Sequence, residues 1–176
     1  VCGTSKEAAC SLRIMEQIKH CKIKVLYIYP EMDFLATEKK KCHRVVFNVL
    51  QEYARSGLLD SMYIVSNETV ERMSGGGTIS NYYNKINETI ASMVHYYNIY
   101  RNTTPVMGSV QVPSEISRIR TLGLFDMENS EEKFLFPLDN LTGTCYIYNI
   151  TRNDLENDNK LLGNIKEKTK SNVIND

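Results

Sequence analysis

The chemistry this chain could perform is concentrated in a few residue patterns. Ser74-Gly75-Gly76-Gly77-Thr78 is a run of small residues whose backbone N–H groups could cradle a phosphate. A phosphate loop normally follows directly on a strand and opens a helix, and this run lies about ten residues past the nearest strand candidate. It therefore reads first as a flexible turn. His20-Cys21 and Cys42-His43 could ligate a metal if they converged, yet neither C-x-x-C nor H-x-x-x-H spacing supports that, and no metal is expected. The cysteines (Cys2, Cys10, Cys21, Cys42 and Cys145) are odd in number and widely spaced, which suits reduced thiols better than a disulfide framework. Against this stand N-x-S/T sequons at Asn67, Asn87, Asn102, Asn140 and Asn149. A chain rich in Asn, Lys, Ile and Tyr, as A/T-rich genes encode, produces such triplets by chance. A secreted glycoprotein remains the minority alternative.

The composition narrows the function classes. With 176 residues, 42% hydrophobic and 24% charged, the chain suits one domain, or two small ones, with a genuine core. Lys plus Arg (21) equals Asp plus Glu (21), so binding to nucleic acid through bulk charge is disfavoured. The same neutrality is compatible with self-association. No stretch approaches the ~20 apolar residues of a membrane span. No apolar signal core opens the chain, so a cytoplasmic location is expected. A first residue other than Met suggests a piece of something longer.

The elements that must position these residues follow from periodicity. Ser5 to Cys21 carries Ala9, Leu12, Ile14/Met15, Ile18 and Cys21 at helical spacing. Lys22 to Tyr29, ended by Pro30, reads as a strand buried on at least one face. Glu38 to Ser56 reads as a helix with Val46, Val49/Leu50 and Tyr53 inward, closed by Gly57 in a left-handed cap. Ser61 to Val65 reads as a second buried strand, and Asn67 to Ser80 as a polar connection. Alternating helices and strands predict a parallel α/β sheet, whose ligands bind beyond the carboxyl ends of the strands. Ile79, Ile86, Met93 and Tyr100 recur every seven residues, interleaved with Tyr83, Ile90 and Tyr97. That pattern predicts a helix of roughly 33 Å with a broad apolar stripe, a spine between two lobes or else a coiled-coil strand. After Asn102-Thr103-Thr104-Pro105, short strands are expected at Arg120 to Phe125, Phe134 to Phe136 and Thr144 to Ile150, then a polar helix over Leu155 to Lys168. The expected organisation is an α/β part over 1–78, a spine helix over 79–101 and a small α+β part over 102–176.

This order of elements resembles the tubulin/FtsZ superfamily from its phosphate-loop region onward. Leu59-Asp60-Ser61-Met62-Tyr63-Ile64-Val65-Ser66-Asn67 resembles the family strand that ends in an Asn beside the guanine base. Tyr83-Asn84-Lys85-Ile86-Asn87 resembles the start of the central helix, where an aromatic stacks on guanine and an Asn or Asp one turn later bonds its edge. Cys2-Gly3-Thr4-Ser5 stands at the family's glycine-rich phosphate loop, Arg44 where the FtsZ branch carries an arginine near the nucleotide, and residues 143–150 at a late strand of the small domain. The resemblance thus implies a guanine nucleotide (GTP/GDP, with room for Mg²⁺) bound through Gly3, Thr4, Arg44, Asn67, Tyr83 and Asn87. It also implies head-to-tail homopolymers, and hydrolysis activated by assembly, with Glu115 placed over a neighbour's phosphate.

Tyr83 and Asn87 stand four apart, so a helix presents them on one face, and an amide's donor and acceptor suit guanine's mixed edge. The plainer alternative leaves Tyr83 in the apolar heptad and Asn87 on the surface. Some residues depart from the family pattern. Cys2 replaces a glycine, Lys6 follows Ser5, and Val112 stands where an aspartate is usual, leaving Glu115 as the lone carboxylate of its loop. The stretch between the small domain's strands is short, and the family's N-terminal half has no counterpart in these residues. A non-enzymatic structural or assembly protein retaining the fold is the alternative that these departures favour.

Overall fold

The computed structural model describes residues 1–5, 7–73, 81–104, 117–126, 129, 131–148, 150–151 and positions 156, 160, 163 and 165. The elements in chain order are α1 (Ala8–Gln17), β1 (Lys24–Tyr29), α2 (Thr37–Arg55), β2 (Ser61–Ser66), α3 (Asn67–Met73), α4 (Tyr82–Asn102), β3 (Ile119–Thr121), β4 (Gly123–Asp126) and β5 (Glu131–Phe134).

β1, β2 and β3 form a parallel sheet in that order, with Lys24 opposite Ser61 and Met62 opposite Ile119. This is the expected α/β class with a parallel sheet. The first residues extend it on the far side of β1. Val1 O accepts from the Ile28 N–H at 2.9 Å, and the Gly3 N–H donates to Ile28 O at 3.1 Å. Cys2 thereby pairs with Ile28 in parallel. All six residues of β2 are buried, as a central strand covered on both faces must be.

Each face has its own core. On one, Val25, Tyr27, Met62 and Ile64 meet Ala8 and Met15 of α1 and Val46, Leu50 and Ala54 of α2. On the other, Val65 packs with Val70 of α3, Ile86 and Ile90 of α4 and Leu135, while Leu26 and Ile28 are partly covered. The α1 stripe is rotated from the expected one. Ala8, Leu12 and Met15 face inward, whereas Ala9 is exposed and Ile14 is 60% exposed. The inward stripe of α2 matches expectation at Val46 and Leu50, but it begins with the buried His43. Gly57 closes α2 at φ +84°, the left-handed geometry its position predicts.

Several later elements differ from the sequence reading. Asn67 opens a short helix, α3, where a polar connection was expected. The strand expected over Arg120 to Phe125 divides at Leu122 into β3, which joins the parallel sheet, and β4, which pairs antiparallel with β5. The division is anchored by Leu135, whose N–H donates to Leu122 O and whose carbonyl accepts from the Ser66 N–H, both at 2.8 Å. Phe134 ends β5 rather than beginning a strand. The described residues from Thr144 to Tyr148 form no strand. Contacts divide the chain into one unit over Val1–Leu141 and a second over Thr142–Asp176. The helix expected over Leu155 to Lys168 lies mostly outside the described residues.

Candidate functional site

The direction of α4 decides which residues share an end of the molecule. Its early residues Ile86 and Ile90 pack with Val65, near the carboxyl end of β2, and with Val70 of α3. Its later Tyr97 lies against Tyr63, with ring centroids 5.2 Å apart, and under the Nζ of Lys24, which begins β1. α4 therefore runs antiparallel to the strands. Its amino-terminal turns, with Tyr83 and Asn87, lie toward the carboxyl edge of the sheet. Thr4 follows the Cys2–Gly3 pairing with Ile28 at that edge, and Asn67 follows directly on Ser66 there.

Each expected site residue among the described ones then has a place. Tyr83 is 71% exposed, off the buried stripe, while Ile86 is 4% exposed and Ile90 6%. Asn87 lines an open groove of about 380 Å³ with Leu26, Ile28, Ile90, Val94 and His95, a volume within the small-molecule range. Arg44 is exposed on α2. Glu115 and the 108–115 loop lie outside the described residues, as does the Ser74 to Thr78 run.

Gly3 has a different occupation from the expected one. Its N–H is spent on Ile28 O, and an added Cβ would stand 2.8 Å from His43 Nδ1 and closer still to Tyr27 Oη. The glycine makes room for that side-chain pair. The Ser5 N–H is also spent, on Cys2 O. Among the described residues, the Thr4 N–H makes no backbone hydrogen bond.

The pair beneath Gly3 carried no signal in the sequence. Tyr27 Oη and His43 Nδ1 lie 2.7 Å apart in the interior. Burial, reinforced by Arg44, holds the imidazole pKa below 6.5, and burial with the neighbouring Tyr29, Cys42 and Cys2 raises the phenol. Both groups are neutral at pH 7. The phenol O–H donates and the imidazole nitrogen, the better acceptor, receives, which puts the ring proton on Nε2. Phe47 stacks on His43, and Tyr29 meets it edge-on. A period-3.6 reading treats His43 as one polar residue among the charged first two turns of α2. Only the parallel position of Tyr27 across the layer shows otherwise.

All described cysteines are free, and no three His, Cys, Asp or Glu side chains among the described residues converge as a metal site. Among those residues, no helix is long and apolar enough to cross a membrane. No family model, curated protein or solved structure matches the chain.

Proposed function

We propose that the chain belongs to a divergent tubulin/FtsZ-like protein that binds a guanine nucleotide at the carboxyl edge of its sheet and assembles head to tail. One observation carries this reading: α4 runs antiparallel to the strands and so directs Tyr83 and Asn87 toward the edge that Thr4 and Asn67 occupy. Tyr83 is 71% exposed on the amino-terminal turns of α4, and Asn87 borders an open groove. In this reading Asn87 and Asn67 address the base edge, Thr4 meets phosphate and Arg44 supplies the nearby cation. Glu115 would act on the next subunit's nucleotide, with Mg²⁺ as the phosphate counter-ion.

The spent N–H of Gly3 supports a weaker phosphate cradle than the family's. It favours the second reading, an assembly protein that holds nucleotide without turning it over. Fluorescent-GTP titration of this chain tests the proposal. Binding is expected to be weak, above micromolar, because the family's other phosphate loops have no counterpart in these residues. It should be displaced by GTP in preference to ATP. Equal displacement by the two nucleotides would sink the guanine assignment.

A further inference from the structure

The opposite end of the sheet gathers cations on the face covered by α4. Lys24, Tyr63 and Arg120 share that face by strand alternation and register, since Tyr63 is opposite both Leu26 and Arg120. The Lys24 Nζ lies 5.9 Å from the Tyr97 ring centroid, and the Arg120 guanidinium carbon 5.9 Å from that of Tyr63. Those two rings are neighbours, so the cations flank one aromatic pair. Arg101 follows Tyr97 by one turn of α4 and acts electrostatically on its phenol, as Arg120 does.

These charges are held but not neutralised. The Arg120 Nε donates to Ser117 O at 2.7 Å and its Nη1 to Tyr63 Oη at 3.1 Å, and among the described residues the rest of the guanidinium fork is unspent. Among the described residues, no carboxylate pairs with Lys24, Arg101 or Arg120. Burial and the neighbouring Tyr63 push the Tyr97 phenol up to about 12, against the pull of Arg101 and Arg120, so it offers no negative charge in return. Ser61, opposite Lys24 and on the face of Tyr63, buries a hydroxyl that has no hydrogen-bond partner among the described residues. Cations with no carboxylate partner at one end of a sheet can receive an oxyanion through charge-assisted hydrogen bonds.

We propose that Lys24, Arg101 and Arg120, set around the Tyr63–Tyr97 pair, form a site for the phosphate group of a small molecule. The site is separate from the nucleotide edge proposed above, at the other end of α4. Phosphate suits it better than a carboxylate because Lys24, Arg101 and Arg120 border one aromatic pair and phosphate can present several charged oxygens at once. The neutral chain as a whole argues against an extended polyanion.

Calorimetric titration of the chain with inorganic pyrophosphate, at matched ionic strength in sodium chloride, tests the site. Saturable one-to-one binding is expected, with a rise in melting temperature. Lys24→Gln combined with Arg101→Gln changes two exposed side chains and should weaken binding by roughly tenfold or more, the scale of a lost charge-assisted hydrogen bond. The same double variant should bind fluorescent GTP at the nucleotide edge as the parent chain does, which separates the two sites. Absence of saturable binding, or equal binding by the Lys24/Arg101 double variant, overturns the proposal. So does tighter binding of single-stranded nucleic acid than of pyrophosphate.

Discussion

Tyr27 and His43 join β1 to α2 through a buried 2.7 Å hydrogen bond that lies directly under Gly3. The contact ties three stretches of chain together: the edge residues that extend the sheet, the first strand and the helix that covers it. Tyr27→Phe removes the donor and leaves His43 Nδ1 in the interior with no partner. A loss of about 1–3 kcal/mol of stability is expected, the usual penalty for an orphaned buried polar group. Urea denaturation of the variant measures it, and an unchanged midpoint would show that the imidazole finds water.

The same histidine gives stability a pH dependence of known sign. Its folded pKa lies below 6.5, so between the two values the unfolded chain binds the proton that the native state refuses. Stability is therefore full above about pH 6.5 and falls as the solution is acidified through the folded pKa. Urea midpoints at about pH 7.5 and about pH 5 should separate in that direction, and His43→Phe should narrow the gap between them.

Gly3→Ala tests why a glycine stands at the turn. The new Cβ would meet the Tyr27–His43 pair, and overpacking of this kind costs about 1–3 kcal/mol. Because the closest atom is the phenol oxygen, the penalty should shrink in a Tyr27→Phe background. That non-additivity in a thermal-melt cycle marks a steric cause. Equal penalties in both backgrounds would place the need for glycine in the backbone instead.

What the sequence reveals and what it hides follow the range of the interactions. The paired strands and α2 are legible because their signals are local: Val25 to Tyr29 and Ser61 to Val65 are short apolar runs, and Gly57 is a cap. The stripe of α4 is legible through Ile86 and Ile90 for the same reason. The break at Leu122 is not, because it is made by Leu135 bonding across to Ser66 and Leu122, residues far apart in the chain. The role of Gly3 is hidden similarly, since glycine looks the same whether it admits a phosphate or a phenol. Tyr83 and Tyr97 belong to one heptad pattern, yet one is exposed and the other lies against Tyr63, because the sheet covers only part of the helix.

That difference along α4 supplies the last prediction, which sets base recognition against a structural role. Tyr83 is 71% exposed, so Tyr83→Ala should leave the melting temperature close to that of the parent chain. Ile86→Ala, one turn along and 4% exposed, should instead cost about 2–5 kcal/mol. Nucleotide binding should show the reverse order. If the Tyr83 ring stacks on guanine, its removal weakens fluorescent-GTP binding by about 1–3 kcal/mol, the range for base–aromatic stacking. Asn87→Ala should lessen the preference for GTP over ATP while stability holds, because the amide that reads the base edge is gone. Titrations of the three variants beside their melting curves separate the cases. Tyr83→Ala and Asn87→Ala variants that melt normally and bind GTP and ATP as the parent does would make both residues plain surface positions on a packed helix.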